Sequence, residues 1–125
     1  MIANPVEGPS PITEYVNDKG QLTVRLETLF RRYLEEEYLS NTSLVLLTED
    51  TASLLGAYPH GIAKWKLIEG IPMNSNEIRV VSVADFKGLE SDMVIYIHKE
   101  CSGDNVNYIA YTRAKYYLIE LIRRF

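Results

Sequence analysis

Apolar positions along the chain fall into blocks whose period changes, and those changes predict its elements. Ile12 to Val16 alternates and predicts a short strand. Asn17-Asp18-Lys19-Gly20 follows with turn and helix-capping chemistry. Leu22, Leu26, Leu29, Phe30, Tyr33 and Leu34 then recur at three-and-four spacing, the apolar stripe of one helix, with Arg31, Arg32, Glu35 and Glu36 on its other faces. Asn41 and Thr42 read as the close of that helix. Ser43 to Thr48 is almost wholly apolar, as expected of a parallel strand buried on both faces. Strand, helix and buried strand in succession predict a β-α-β unit.

The middle of the chain is less patterned. A short helix is expected over Thr51–Ala57, a minor strand over Ala63–Ile68, and a loop through Gly70, Pro72 and Asn74. Ile78–Val83 is a β-branched strand and Asp92–His98 a second buried strand. Asp104–Lys115 reads as a helix capped by Asp104 or Ser102, and Tyr116–Ile122 as the final strand. This order, with right-handed crossovers, predicts an α/β fold: a three-layer α/β/α sandwich on a mainly parallel sheet. Residues 1–11, with Pro5, Pro9 and Pro11, form an extended lead-in, and residues 12–125 form a single domain.

Composition narrows the function classes. The 125 residues suffice for one core, and 46% hydrophobic with 24% charged residues is ordinary for a soluble globular chain. No apolar run approaches membrane-spanning length, the start has no secretory pattern, and the lone Cys101 has no disulfide or metal-ligand spacing around it. A cytoplasmic setting, without membrane or metal, is the expectation. The net charge of −4 argues against a stand-alone nucleic-acid binder, which normally presents a basic face.

Two segments carry chemistry. Lys87-Gly88-Leu89-Glu90 follows a predicted strand, where open α/β sheets place ligands. Gly88 lets the backbone turn or approach a ligand, Glu90 can accept hydrogen bonds from ribose hydroxyls, and Lys87 offers a cation to phosphate. Ser82 and Asp85 bracket the same turn. Arg113 aligns on a helical wheel with Val106, Ile109 and Ala110, so a guanidinium interrupts an apolar stripe. A phosphate is the partner its planar fork suits best. Plainer readings exist for both: a solvated charged turn, and an arginine snorkelling to a carboxylate. His60 and His98 read as loop or strand-end residues, and Trp65 as a packing residue rather than a stacking platform.

Taken together, Ser82 to Val94, centred on Phe86-Lys87-Gly88-Leu89-Glu90, resembles motif V of the UvrD/Rep-like superfamily 1 helicases. Tyr108-Ile109-Ala110-Tyr111-Thr112-Arg113-Ala114-Lys115 resembles their motif VI. The close likeness covers residues 78–122, and residues 12–57 fit in outline. The resemblance implies the second, C-terminal RecA-like domain of a P-loop NTPase, with ATP bound between two such domains. It implies that Glu90 contacts the nucleotide sugar and that Arg113 reaches the γ-phosphate as the catalytic arginine. Lys87 and Gly88 would lie beside the nucleotide, and Ser82 would face single-stranded DNA. Ala84 stands where many members have His, and the insertion that many carry before motif V is reduced to residues 58–77.

The chain has no Gly-x-x-x-x-Gly-Lys-Ser/Thr loop to cradle the phosphates. Magnesium of Mg-ATP is therefore expected to be held by a separate N-terminal RecA-like domain of the same parent chain. The 125 residues alone are expected to be inactive. The alternative reading is a non-catalytic interaction or nucleotide-binding module derived from such a domain.

Overall fold

The computed structural model describes residues 12–83, 91–99 and 114–125. Its elements are β1 (Ile12–Val16), α1 (Lys19–Phe30), β2 (Leu44–Thr48), α2 (Thr51–Ala57), β3 (Lys66–Ile68), β4 (Glu77–Ser82), β5 (Ser91–Lys99) and β6 (Ala114–Arg123). The strands form one six-stranded sheet in the order β1-β6-β5-β2-β4-β3, and every pairing is parallel. The α/β fold with a mainly parallel sheet read from the sequence is the one observed.

The centre of the sheet is β2 beside β5, with Leu44↔Met93 through Thr48↔Ile97 in register. All five residues of β2 are buried, as the unbroken apolar run requires. Leu44, Leu46, Met93, Ile95 and Ile97 join the core beneath α1, packed with Leu26 and Phe30. Val45, Leu47, Val94, Tyr96 and Leu118 form a second buried cluster on the opposite face. Fully burying a Leu or Ile side chain contributes about 1.5–3 kcal/mol, so these two strands dominate the hydrophobic stabilisation of the sheet.

α1 starts where the sequence placed its cap. Asp18 Oδ1 accepts from Gln21 N–H at 2.8 Å, and Gln21 Oε1 accepts from Asn17 N–H at 2.7 Å, a reciprocal arrangement at the helix entry. The helix then departs from its 3.6-residue period. Arg31–Glu36 winds more widely, closed by Glu37 N–H to Arg32 O at 2.9 Å. Tyr38 follows with φ 59, and Leu39 N–H reaches Tyr33 O at 2.7 Å. Asn41 and Thr42 do not close this helix: Asn41–Ser43 is a separate tight turn, with Ser40 accepting from Thr42 N–H, that leads into β2.

Other boundaries also move. β3 covers only Lys66–Ile68, because Ile62 and Trp65 pair with each other across a tight turn. Gly61 is required there: at φ 82, a Cβ would lie 2.1 Å from the Trp65 carbonyl oxygen. Trp65 itself is 3% exposed and meets Phe30 edge-on at 5.5 Å, so it packs on its own domain. β6 begins at Ala114, so Ala114 and Lys115 belong to a strand and not to the end of a helix. Pairing with β5 overrides the helix preference of that Ala-Lys pair. The remainder of the expected helix, and the lead-in 1–11, lie outside the described residues.

β3 and β4 are parallel neighbours joined through residues 69–76, and Glu77 anchors this connection. Its carboxylate accepts from Met73 N–H at 2.7 Å and Asn74 N–H at 3.2 Å. The Met73 hydrogen bond is the largest cause holding the Glu77 carboxyl below its ordinary range; Asn74 adds to it. A depressed folded value gives stabilisation that is present above the unfolded value and lost as pH falls through the folded one. The Met73 and Asn74 amide resonances are therefore expected to stay constant at neutral pH and to move with a midpoint below about pH 4.3, the ordinary Glu value. Glu77→Gln should abolish that transition in an NMR pH titration.

Candidate nucleotide and nucleic-acid site

Because all strands are parallel, the sheet has one carboxyl edge and one amino edge, and the sequence-predicted site residues divide between them. Ser82 ends β4 at the carboxyl edge, paired with Thr48, whose carbonyl accepts from Val83 N–H at 3.0 Å. Thr48 is also level with Ile97 of β5. Ser91 starts β5 six residues earlier, which at ~3.3 Å per residue is about 20 Å down the strand axis. Residues 83–90 thus join the carboxyl edge to the amino edge. Ser82 and the residue after Glu90 cannot share one ligand-binding edge.

Lys87, Gly88, Glu90 and Arg113 lie outside the described residues. Their chain neighbours do not: Ser91 directly follows Glu90, Ala114 directly follows Arg113, and these two are register partners in the β5–β6 pairing. The pairing is irregular just beyond them, since Met93 is opposite Tyr117, leaving one extra residue on β6. Such bulges re-aim a strand locally and are common beside functional sites. The sequence carried no signal of this bulge.

Near the other end of the same strands is a buried polar cluster that sequence reasoning also missed. His98 and Glu120 are 2% and 4% exposed, with Nε2 and Oε2 2.5 Å apart. His98 Nδ1 lies 2.7 Å from the Lys99 carbonyl, which can only accept, so Nδ1 carries a hydrogen. Nε2 and the Glu120 carboxylate then share the remaining hydrogen bond of the ring. Thr13 donates to Glu120 Oε1 at 3.1 Å, and Tyr96 stacks on the His98 ring with centroids 4.4 Å apart. The only sequence trace was one carboxylate in the apolar run 116–122. His98 is a strand-end residue, as expected, but with a specific partner.

A cleft of about 210 Å³ opens at the carboxyl edge between β2, β5 and β6, on the side covered by the helices. Lys19, Thr48, Ser53, Tyr58, Arg123 and Phe125 line it. Tyr58 shares a 2.8 Å hydrogen bond with Thr23, and burial pushes its phenol up, so it is uncharged at neutral pH. Among the described residues no group of His, Cys, Asp and Glu is placed to hold a metal ion.

The fold has a counterpart among solved structures. The C-terminal domain of a possible DNA helicase from Lactobacillus plantarum WCFS1 superposes with a TM-score of 0.67 at 17% identity, covering 92% of this chain and 74% of that one. No protein-family model matches the chain, and no curated protein matches it. At this identity the likeness establishes the fold.

The buried pair gives a stability test. Glu120→Leu strands a buried imidazole, and His98→Leu strands a buried carboxylate, so each single change should cost about 2–4 kcal/mol. The double Leu variant should cost less than the sum of the two by at least ~1.5 kcal/mol, measured by urea unfolding. Additive losses would show that the pair is not coupled.

Proposed function

We propose that this chain is the second RecA-like motor domain of an ATP-dependent DNA helicase of the UvrD/Rep-like kind. It supplies one wall of the ATP site and part of the single-stranded DNA track. The observation that carries the reading is the direct pairing of Ser91 with Ala114. Glu90 directly precedes Ser91 and Arg113 directly precedes Ala114, so the two motifs lead into paired strand positions. A carboxylate for ribose and a guanidinium for the γ-phosphate can then reach a single nucleotide at the amino edge. Ser82, about 20 Å away along the strands, is free of that ligand and faces the edge assigned to DNA. The fold shared with the C-terminal domain of a possible DNA helicase supports a helicase parent.

The chemistry is division of labour across a cleft. Phosphoryl transfer needs positioned charge more than covalent participation, and an arginine delivered from a second domain stabilises charge developing on the transferring phosphoryl group. Glu90 fixes the sugar, and Lys87 and Gly88 border the nucleotide. The N-terminal RecA-like domain of the parent chain holds Mg-ATP. In the parent helicase, Arg113→Ala is expected to lower the DNA-stimulated ATPase rate about 10³-fold or more with the fold intact. An ATPase rate within a few-fold of the unmodified parent would refute the motor reading and favour a non-catalytic module.

A further inference from the structure

The carboxyl-edge cleft lies where this sheet changes direction. From β2 the next strand, β3, lies toward one end of the strand order, and from β5 the next strand, β6, lies toward the other, while β2 and β5 are neighbours. In open parallel sheets the crevice beyond the carboxyl ends at such a switch point is where ligands bind. Thr48 of β2 and Ile97 of β5 form its floor.

Two of its lining residues, Lys19 and Arg123, are cations. Four of the described cations, Arg25, Arg31, Arg32 and Lys64, are each paired with a glutamate. The two cations of the cleft are not. Lys19 lies over the Tyr58 ring, 5.1 Å from its centroid, and Arg123 over the Phe125 ring at 5.5 Å. Neither has a carboxylate partner among the described residues. Asp50 is the one acidic side chain in the lining, and its Oδ1 accepts from Ser53 N–H at 3.1 Å as the cap of α2. Among the described residues, two cations without a carboxylate partner, held against rings and flanked by Thr48 and Ser53, thus share one concave site.

We propose that this cleft binds a phosphomonoester: a dianionic phosphate set between Lys19 and Arg123, with a small organic body against Phe125. The Arg fork and the Lys point charge are the two side chains best suited to phosphate oxygens. Two cations match a dianion rather than the single charge of a phosphodiester, which sets the ligand apart from the backbone of a nucleic-acid strand. The cleft volume of about 210 Å³ suits a phosphate carrying one small group. This site is separate from the amino-edge nucleotide wall and does not depend on it.

The test is an NMR titration of the 125-residue chain with inorganic phosphate, thymidine 5′-monophosphate and the diester dTpT, which lacks a terminal phosphate. Saturable shifts are expected at the amides of Lys19, Thr48, Ser53 and Ala57 with the first two, at a Kd on the order of 1 mM. Lys19→Gln and Arg123→Gln should each weaken binding about tenfold. Asp50→Asn, which keeps a capping side chain and removes the opposing charge, should tighten it. Binding should also weaken below about pH 6, where a phosphomonoester gains its second proton. Equal binding of dTpT and the monophosphate would overturn the proposal and assign the cleft to a strand backbone. It would equally fail if the three variants bound like the unmodified chain, or if shifts did not saturate by about 20 mM. None of these results bears on the parent ATPase rate, so the two readings stand or fall separately.

Discussion

Every feature of this molecule depends on the parallel pairing of β2 with β5. Both strands are almost wholly apolar and are out of water on both faces, so they stabilise each other only inside a sheet covered on both sides. Parallel neighbours cannot be joined by a hairpin and require long connections that return the chain to the same edge. The consequence is polar in the geometric sense: all strand starts lie along one edge and all strand ends along the other. Ser82, Thr48 and the cationic cleft belong to the end edge, whereas Ser91 and Ala114 belong to the start edge. Separation of the end of β4 from the starts of β5 and β6 follows from the hydrogen-bonding direction of the sheet before any side chain is considered.

That same constraint decides what could be read from the residues. Strands β2 and β5 and the entry of α1 were legible because burial on two faces leaves an unbroken apolar run, and because Asn17 to Gly20 carry recognisable capping chemistry. Features set by long-range fit were not. Ala114 and Lys115 favour helix locally, yet backbone pairing with Ser91 makes them strand. The wide turns of Arg31–Glu36 keep Tyr33 facing the core while the chain turns toward β2, and no residue type announces them. The positive φ of Tyr38 and Ala63 is likewise imposed by the neighbouring turns. Lys87, Gly88, Glu90 and Arg113 lie outside the described residues. The register of β5 with β6 shows only that Ser91 and Ala114, the residues that follow Glu90 and Arg113, are paired at the amino edge.

That register has a physical guard. A bulge near Ala114 admits one extra residue on β6, and an apolar strand such as Leu118–Ile122 offers little of its own to choose between pairings one residue apart. Glu120 supplies the choice. In the observed register it lies opposite Tyr96 and Thr13 and meets His98 diagonally, with both carboxylate oxygens hydrogen-bonded. A slip by one residue would turn it to the other face, among Leu26, Leu46 and Ile95, where the core presents only apolar side chains to it. An unpaired buried carboxylate there costs several kcal/mol, far more than the few tenths that separate one aliphatic pairing from another. The polar pair therefore adds little to net stability while fixing alignment across β5, β6 and β1. Alignment is what sets Ala114 opposite Ser91, so a buried histidine and glutamate near the carboxyl edge hold the amino-edge geometry on which the proposed ATP wall rests.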